Sequence, residues 1–206
     1  MPFPTTNATQ ELPAINQILS SCGQAPVTTL DQTNPDVAIA YDTLLQVSRE
    51  VQAEGWTFNK EYHYEFTPDN NDEILIPSNI LQIKLTENSA NMDKDGIRRS
   101  GKLYDRHNHT YDWTDETVEC DVVWEFDWVD LPQPIQDFIV ARSATFVSQR
   151  IVGDAAQYQM LQQQEAYMRA LALEYETQQG QFTFFGHPQG HTNYYQSYQP
   201  FHALSR

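Results

Sequence analysis

Positive charge is what this chain has least of. Twelve lysines and arginines stand against 28 aspartates and glutamates, giving a formal net charge of −16. Binding to nucleic acid ordinarily needs cations that displace phosphate counterions, so this balance argues against a nucleic-acid reader, although it suits a surface that DNA slides past. Acidity has a plainer effect too: it keeps like molecules soluble and mutually repelled. Cysteine is nearly absent. Cys22 falls on a helix face and Cys120 in a strand pattern, with no Cys-x-x-Cys, so no disulfide is implied and two buried thiols are expected. No apolar run approaches the roughly 18 residues of a membrane span, and MPFPTTNATQ lacks the basic region and apolar core of an export signal. The expectation is a protein made and used in an unexported, reducing compartment. Gly-x-Ser-x-Gly, a phosphate loop, His-Glu-x-x-His and a Gly-x-Gly-x-x-Gly after a strand are all missing.

What is present is pattern. A chain of 206 residues makes one domain, or one with an insertion, and can bury roughly 70% of its unfolded surface. Leu12, Ile15, Leu19 and Cys22 recur at helical spacing behind a possible Thr9 cap, Pro13 is tolerated near the start, and Gly23 stops the run. After a loop, Asn34 and Pro35 open a second helix whose stripe is Val37, Ala40, Tyr41, Leu44, Val47 and Val51. Gly55 ends it. Trp56 and Phe58 follow as aromatic anchors at a helix-to-strand junction, and aromatic residues in that position are expected in the core.

Period-two patterns then take over. Phe58, Lys60, Tyr62, Tyr64 and Phe66 predict a strand with one aromatic face, and PDNND (residues 68–72) a turn. Leu81, Ile83 and Leu85 predict a second strand, residues 87–101 a polar loop, Leu103 and Tyr104 a short strand before a His107-Asn108-His109 tip, and Val118 through Trp128 the longest alternation. Asp130 with Pro132 and Pro134 begins a third helix carrying Ile135, Phe138, Ile139, Arg142 and Phe146, stopped by Gly153. Asp154 caps a fourth, to about Gln178, with Tyr158, Leu161, Met168, Ala172 and Tyr175 on one face. The predicted class is α+β: a four-helix bundle from residues 1–55 and 130–179, an antiparallel sheet or small barrel inserted at 56–129, and an extended arm at 180–206. The arm's Phe182, Phe184, Phe185, Tyr194, Tyr195, Tyr198 and Phe201 follow no period, which predicts contact with a partner; a solvated tail is the competing reading.

Reactive constellations are weak. Asn91, Asp93, Asp95 and Gly96 begin like a calcium loop, but the twelfth position is Lys102 where a bidentate glutamate belongs, so an Asp/Gly turn is expected instead. His107 and His109 could share a metal only if His63 or Asp112 came near; a solvated tip is the simpler reading, and no metal or cofactor is expected. Asp115 with Glu116, or Glu119, Asp121, Glu125 and Asp127, could serve a glycosidase with Trp113, Trp124 and Trp128 as sugar platforms. Such regular alternation is better explained as the wet side of a half-buried strand. A carbohydrate-binding or polysaccharide-degrading module is therefore the alternative reading, and no enzyme is the preferred one.

The helix LPAINQILSSCG (residues 12–23), the loop APVTTLD (25–31), Arg49 with Gln52 soon after, and the closing GWTFN (55–59) together resemble the N-terminal signature of the tail tubular protein A family, connectors of short-tailed bacteriophages. LYDR (103–106) and the proline-entered helix from Leu131 to Gly153 continue the resemblance in the same order, over about three quarters of the chain. It implies a virion subunit, assembled in host cytoplasm, that forms a ring (twelve copies in the family) beneath the portal. A nozzle of tail tubular protein B would attach below, tail fibres can reach the same region, and double-stranded DNA would pass through without specific binding.

Overall fold

The computed structural model describes residues 8–31, 33–86, 94–114 and 117–180. Helix α1 spans Ala8–Ser21 and buries Ala14, Ile15, Ile18 and Leu19. It starts before the expected cap, so Thr9 lies within the helix and Pro13 falls in its interior. Its end follows the sequence closely. Gly23 adopts φ +73°, its N–H donates to the Ser20 carbonyl, and the Gln24 N–H reaches back to Leu19, the paired bonds of a glycine-terminated helix.

Helix α2, Pro35–Gln52, is capped by Asn34, whose side-chain oxygen accepts from the Asp36 N–H. All six predicted stripe residues, Val37 to Val51, are buried. Helix α3, Gln133–Ile151, starts after Pro132. Asp130 sits in a short 3-10 turn, Trp128–Asp130, and does not cap it, because the chain makes an extra extended step through Leu131 and Pro132 first. Helix α3 lies against α1, α2 and α4, so it is buried nearly all round, from Ile135 and Phe138 to Ala144 and Val147. Gly153, at φ +71°, turns the chain, and Asp154 caps α4, Ala155–Gly180, by accepting from the Ala156 N–H. The helices share one apolar core, to which α4 contributes Ala172 fully and Leu161 and Met168 in part.

The strands form two antiparallel sheets around a second core. One is three-stranded in the order β1-β5-β2 (Lys60–Phe66, Val118–Trp124, Ile80–Leu85); the other pairs β3 (Gly96–Arg99) with β4 (Lys102–Asp105). Ile74, Leu103, Val118, Cys120 and Val122 fill the space between them. Helix and sheet together make the class α+β.

Three strand expectations need correction. The aromatic face of β1 is interrupted by a bulge between Glu61 and Tyr64, with His63 at φ 57°, so Tyr62 and Tyr64 are exposed and only Phe66 is buried. Trp56–Asn59 is a turn, not the start of that strand. Within the segment read as a loop, Gly96–Arg99 forms β3: a Cβ on Gly96 would stand 2.9 Å from Leu85 Cγ and 3.1 Å from Leu103 Cδ1. Gly96 therefore serves close packing of one sheet on the other, not the sharp turn of a cation loop.

Candidate functional site

Part of the family likeness, Arg49, Gln52 and GWTFN, lies at one place, where the chain leaves the helices for the sheet and returns. Gln52, the last residue of α2, is buried; its Oε1 accepts the Phe126 N–H at 2.8 Å, and its Nε2 donates to the Phe126 carbonyl at 3.1 Å. Asn59 is buried beside it. Its Oδ1 accepts from the Trp56 N–H at 2.9 Å, while Nδ2 donates to the carbonyls of Gln52 and Trp124 at 2.9 and 2.8 Å. The Trp56 indole N–H donates to the Val51 carbonyl at 2.7 Å, and Phe58 meets Phe126 with ring centroids 6.3 Å apart. Trp56 is buried and Phe58 half-buried, both in the helical core as expected. Two amide side chains thus bond backbone groups at the end of α2 and just past the end of β5, the Gln52 carbonyl sharing its capacity with the Gly55 N–H. Gly55, at φ +78°, permits the turn between them.

An open groove of about 930 Å³ runs beside this joint, between the second half of α2 and residues 78–79 and 125–128. Glu11, Glu50, Glu125 and Asp127 line it with Arg49 and Trp128. Arg49 Nε lies 2.9 Å from Glu125 Oε1 across it, and Arg142 reaches Glu50 at 3.6 Å. The groove is acidic on balance.

The acidic residues of the long alternation are cross-links more than a bare wet face. Glu119 holds His63 Nδ1 at 2.9 Å, Asp121 accepts from Thr86 Oγ1 at 2.9 Å, and Glu125 holds Arg49. Of the proposed sugar platforms, Trp113 is sunk in the sheet core with its indole N–H donating to the Leu103 carbonyl, and the Trp124 indole donates to Glu61. Trp128 is half-buried against the helices. A stacking row is not assembled from these three. Asp115 and Glu116 lie outside the described residues, as do Asn91 and Asp93 and the arm residues Phe182, Phe184, Phe185, Tyr194, Tyr195, Tyr198 and Phe201.

At the histidine tip the ordering group is Asp105, 3% exposed, which sequence reading passed over. Burial opposes its ionised form. The N–H groups of Asp95 and His107 and the side chain of Asn108, at 3.1, 2.8 and 2.7 Å, outweigh that and hold its carboxyl below the usual range. A buried aspartate behind a tip of three polar residues leaves no periodic trace, and the signal that could have found it is the Asp-x-x-Asn spacing of a local turn. Asp95 itself pairs with Arg106. Among the described residues no three of His, Cys, Asp and Glu converge as a cation site. Both thiols are buried, and burial pushes Cys120 up to about 12, which removes it from thiolate chemistry near neutral pH.

With this geometry in hand, likeness to known proteins is specific. The family model described as tail tubular protein matches residues 12–182. The chain is similar to tail tubular protein A of Klebsiella phage KP34, with 26% identity over 164 residues that cover 80% of this chain and 85% of that one.

Proposed function

This chain belongs to the tail tubular protein family and is a structural protein of the phage tail, and from that premise we propose that it is the ring-forming adaptor that joins the portal to the tail nozzle. The family is one of tail structure, not of catalysis. The observation that carries the finer reading is the joint: the signature residues Gln52, Trp56 and Asn59 build the clamp between helices and sheet, which is what a subunit needs if it must present separate flanks at a fixed angle.

In this reading residues 1–55 and 130–179 form a four-helix bundle that packs against ring neighbours, and 56–129 reach the rings above or below. The arm from residue 180 adds its aromatic side chains to those contacts. A closed ring requires heterologous contacts, one flank of a subunit meeting a different flank of the next, and twelve copies is the number expected. Portal protein and tail tubular protein B are the partners, with a tail fibre able to reach the same level. The net charge of −16 would keep DNA from adhering to any part of the surface that lines the channel.

Electron microscopy of the purified full chain mixed with portal tests the reading. A ring seated on the portal is expected. A chain that stays monomeric with portal present overturns it. Removal of residues 180–206 should leave a folded protein that joins its partner rings poorly, and normal joining would retire the role given to the arm.

A further inference from the structure

Helix α4 is about 39 Å long at 1.5 Å per residue, yet it packs chiefly on α3 and buries fully only Ala172 and Gly180. The rest of its circumference is open. Ala156, Met160, Gln163, Gln164, Tyr167 and Leu171 lie along one side at spacings of three and four residues, with Met160 71% exposed, Tyr167 61% and Leu171 38%. That line runs into a shallow depression of about 270 Å³ between the two helices, lined by Pro134, Met168, Leu171 and Tyr175 and bordered by the carboxylates of Asp137 and Glu174.

Charge tells what covers it. The charged residues of α4 before Glu174 turn inward and are engaged by the chain itself: Glu165 lies 4.0 Å from Arg142, and Arg169 lies 3.1 Å from Glu54. Glu176 is likewise taken, by the N–H and hydroxyl of Thr57 at 2.8 and 2.6 Å. Among the exposed positions of α4 only Glu174 carries charge. Helix α2 is the contrast, with Asp42, Arg49 and Glu50 exposed and Asp36 half-buried. Molecules at −16 repel one another, and an exposed face with almost no charge is where two such molecules can approach at least cost. A basic partner or DNA would gain nothing from it.

We infer that this outward side of α4, centred on Met160, Tyr167 and Leu171, is the surface on which a second copy of the chain docks. The inference rests on the ring reading and sharpens it, since it names the flank that meets a neighbour. Tyr167 is the anchor: a large ring on an exposed helix, two turns from Met160 and one from Leu171.

The test places a photoreactive benzoyl-phenylalanine at Tyr167 of the full chain, and at Asn70 on a sheet turn as control. Irradiation of the assembled protein should give chain-to-chain adducts from position 167 and at least ~10-fold fewer from position 70. Tyr167→Glu and Met160→Glu should each cut the assembled fraction at least ~10-fold in sedimentation, because a carboxylate would then face a like-charged neighbour, while Tyr167→Phe assembles normally. Circular dichroism checks that the helices persist. Rings that form with no adduct from 167 and are indifferent to Tyr167→Glu overturn the inference and leave the ring reading standing. Wild-type protein that forms no ring with portal overturns both.

Discussion

The two cores of this protein are held together by different means. The helical core is large and built from ordinary apolar burial: Ile15, Ile18, Tyr41, Leu44, Phe138 and Ile139 are all close to fully buried. Of its buried hydroxyls, Thr43 bonds back to Ile39 and Thr145 to Ala141, while Ser143 and Ser148 make no side-chain hydrogen bond. The sheet core is small, and much of its order is polar. Among the described residues every non-glycine with positive φ lies there, at His63, Asp72, Ser100 and His109, and each such turn is a local strain that neighbouring bonds must offset. Its ion pairs, Lys102 with Glu73 and Arg106 with Asp95, are part-exposed. The helices should therefore respond to loss of volume, and the sheets to loss of hydrogen bonds, of fit and of ionisation.

The heaviest blow to that contrast falls on the helices. Phe138→Ala removes a fully buried ring and should lower the unfolding free energy by about 3–5 kcal/mol, read from denaturant titration. Asn59→Ala comes next, at about 3 kcal/mol, since it takes the side-chain partner from the Trp56 N–H and the Trp124 carbonyl and leaves the Gln52 carbonyl with the Gly55 N–H alone. Amide exchange should then rise in β1 and β5 while α1 and α3 stay protected; equal loosening of both regions would show that the joint does not separate them. Gly96→Ala should cost about 1–3 kcal/mol by overpacking against Leu85 and Leu103, with the β3–β4 amides the first to exchange.

Smaller effects probe charge. Asp105 has a folded-state value below its ordinary one, so its contribution is present above the ordinary carboxylate value, about 3.9, and is lost as pH falls through the lowered value. Exchange at β3–β4 should accelerate over that acid range before it does in the helices, and Asp105→Asn should flatten the difference. Least of all, Arg49→Ala breaks an exposed pair with Glu125 and should cost under about 1 kcal/mol in thermal melts, vanishing at high salt.

Helical structure was legible because its causes are local. The stripe of α2, its Asn34 cap, and the stops at Gly23 and Gly153 are written in residues three or four apart, and the structure uses each as read. The sheets were less legible. A bulge at His63 undoes an alternation that looks clean in sequence, and β3 arises where a glycine lets one sheet settle on another, a long-range fact no window reveals. At the joint, GWTFN was readable as a signature but not as a clamp: Gln52 and Asn59 look like surface amides until residues more than sixty positions away arrive to be bonded. The outward side of α4 escaped for the opposite reason. Attention to its inner row, Leu161, Met168 and Ala172, hides how little charge the outer row has.

The chain's departure after Gln52 and its return at Phe126 are clasped by the same pair of amides. Everything between them is mounted like a plug on a two-pin socket. A sheet of different length or outline set there would have to offer one backbone N–H and two carbonyls at the same spots, and to replace the bonds of Thr57 to Glu176 and of Glu125 with Arg49. A pull on that plug would load both pins at once, so tension along a tail would be resisted by bonds acting in parallel and not one after another.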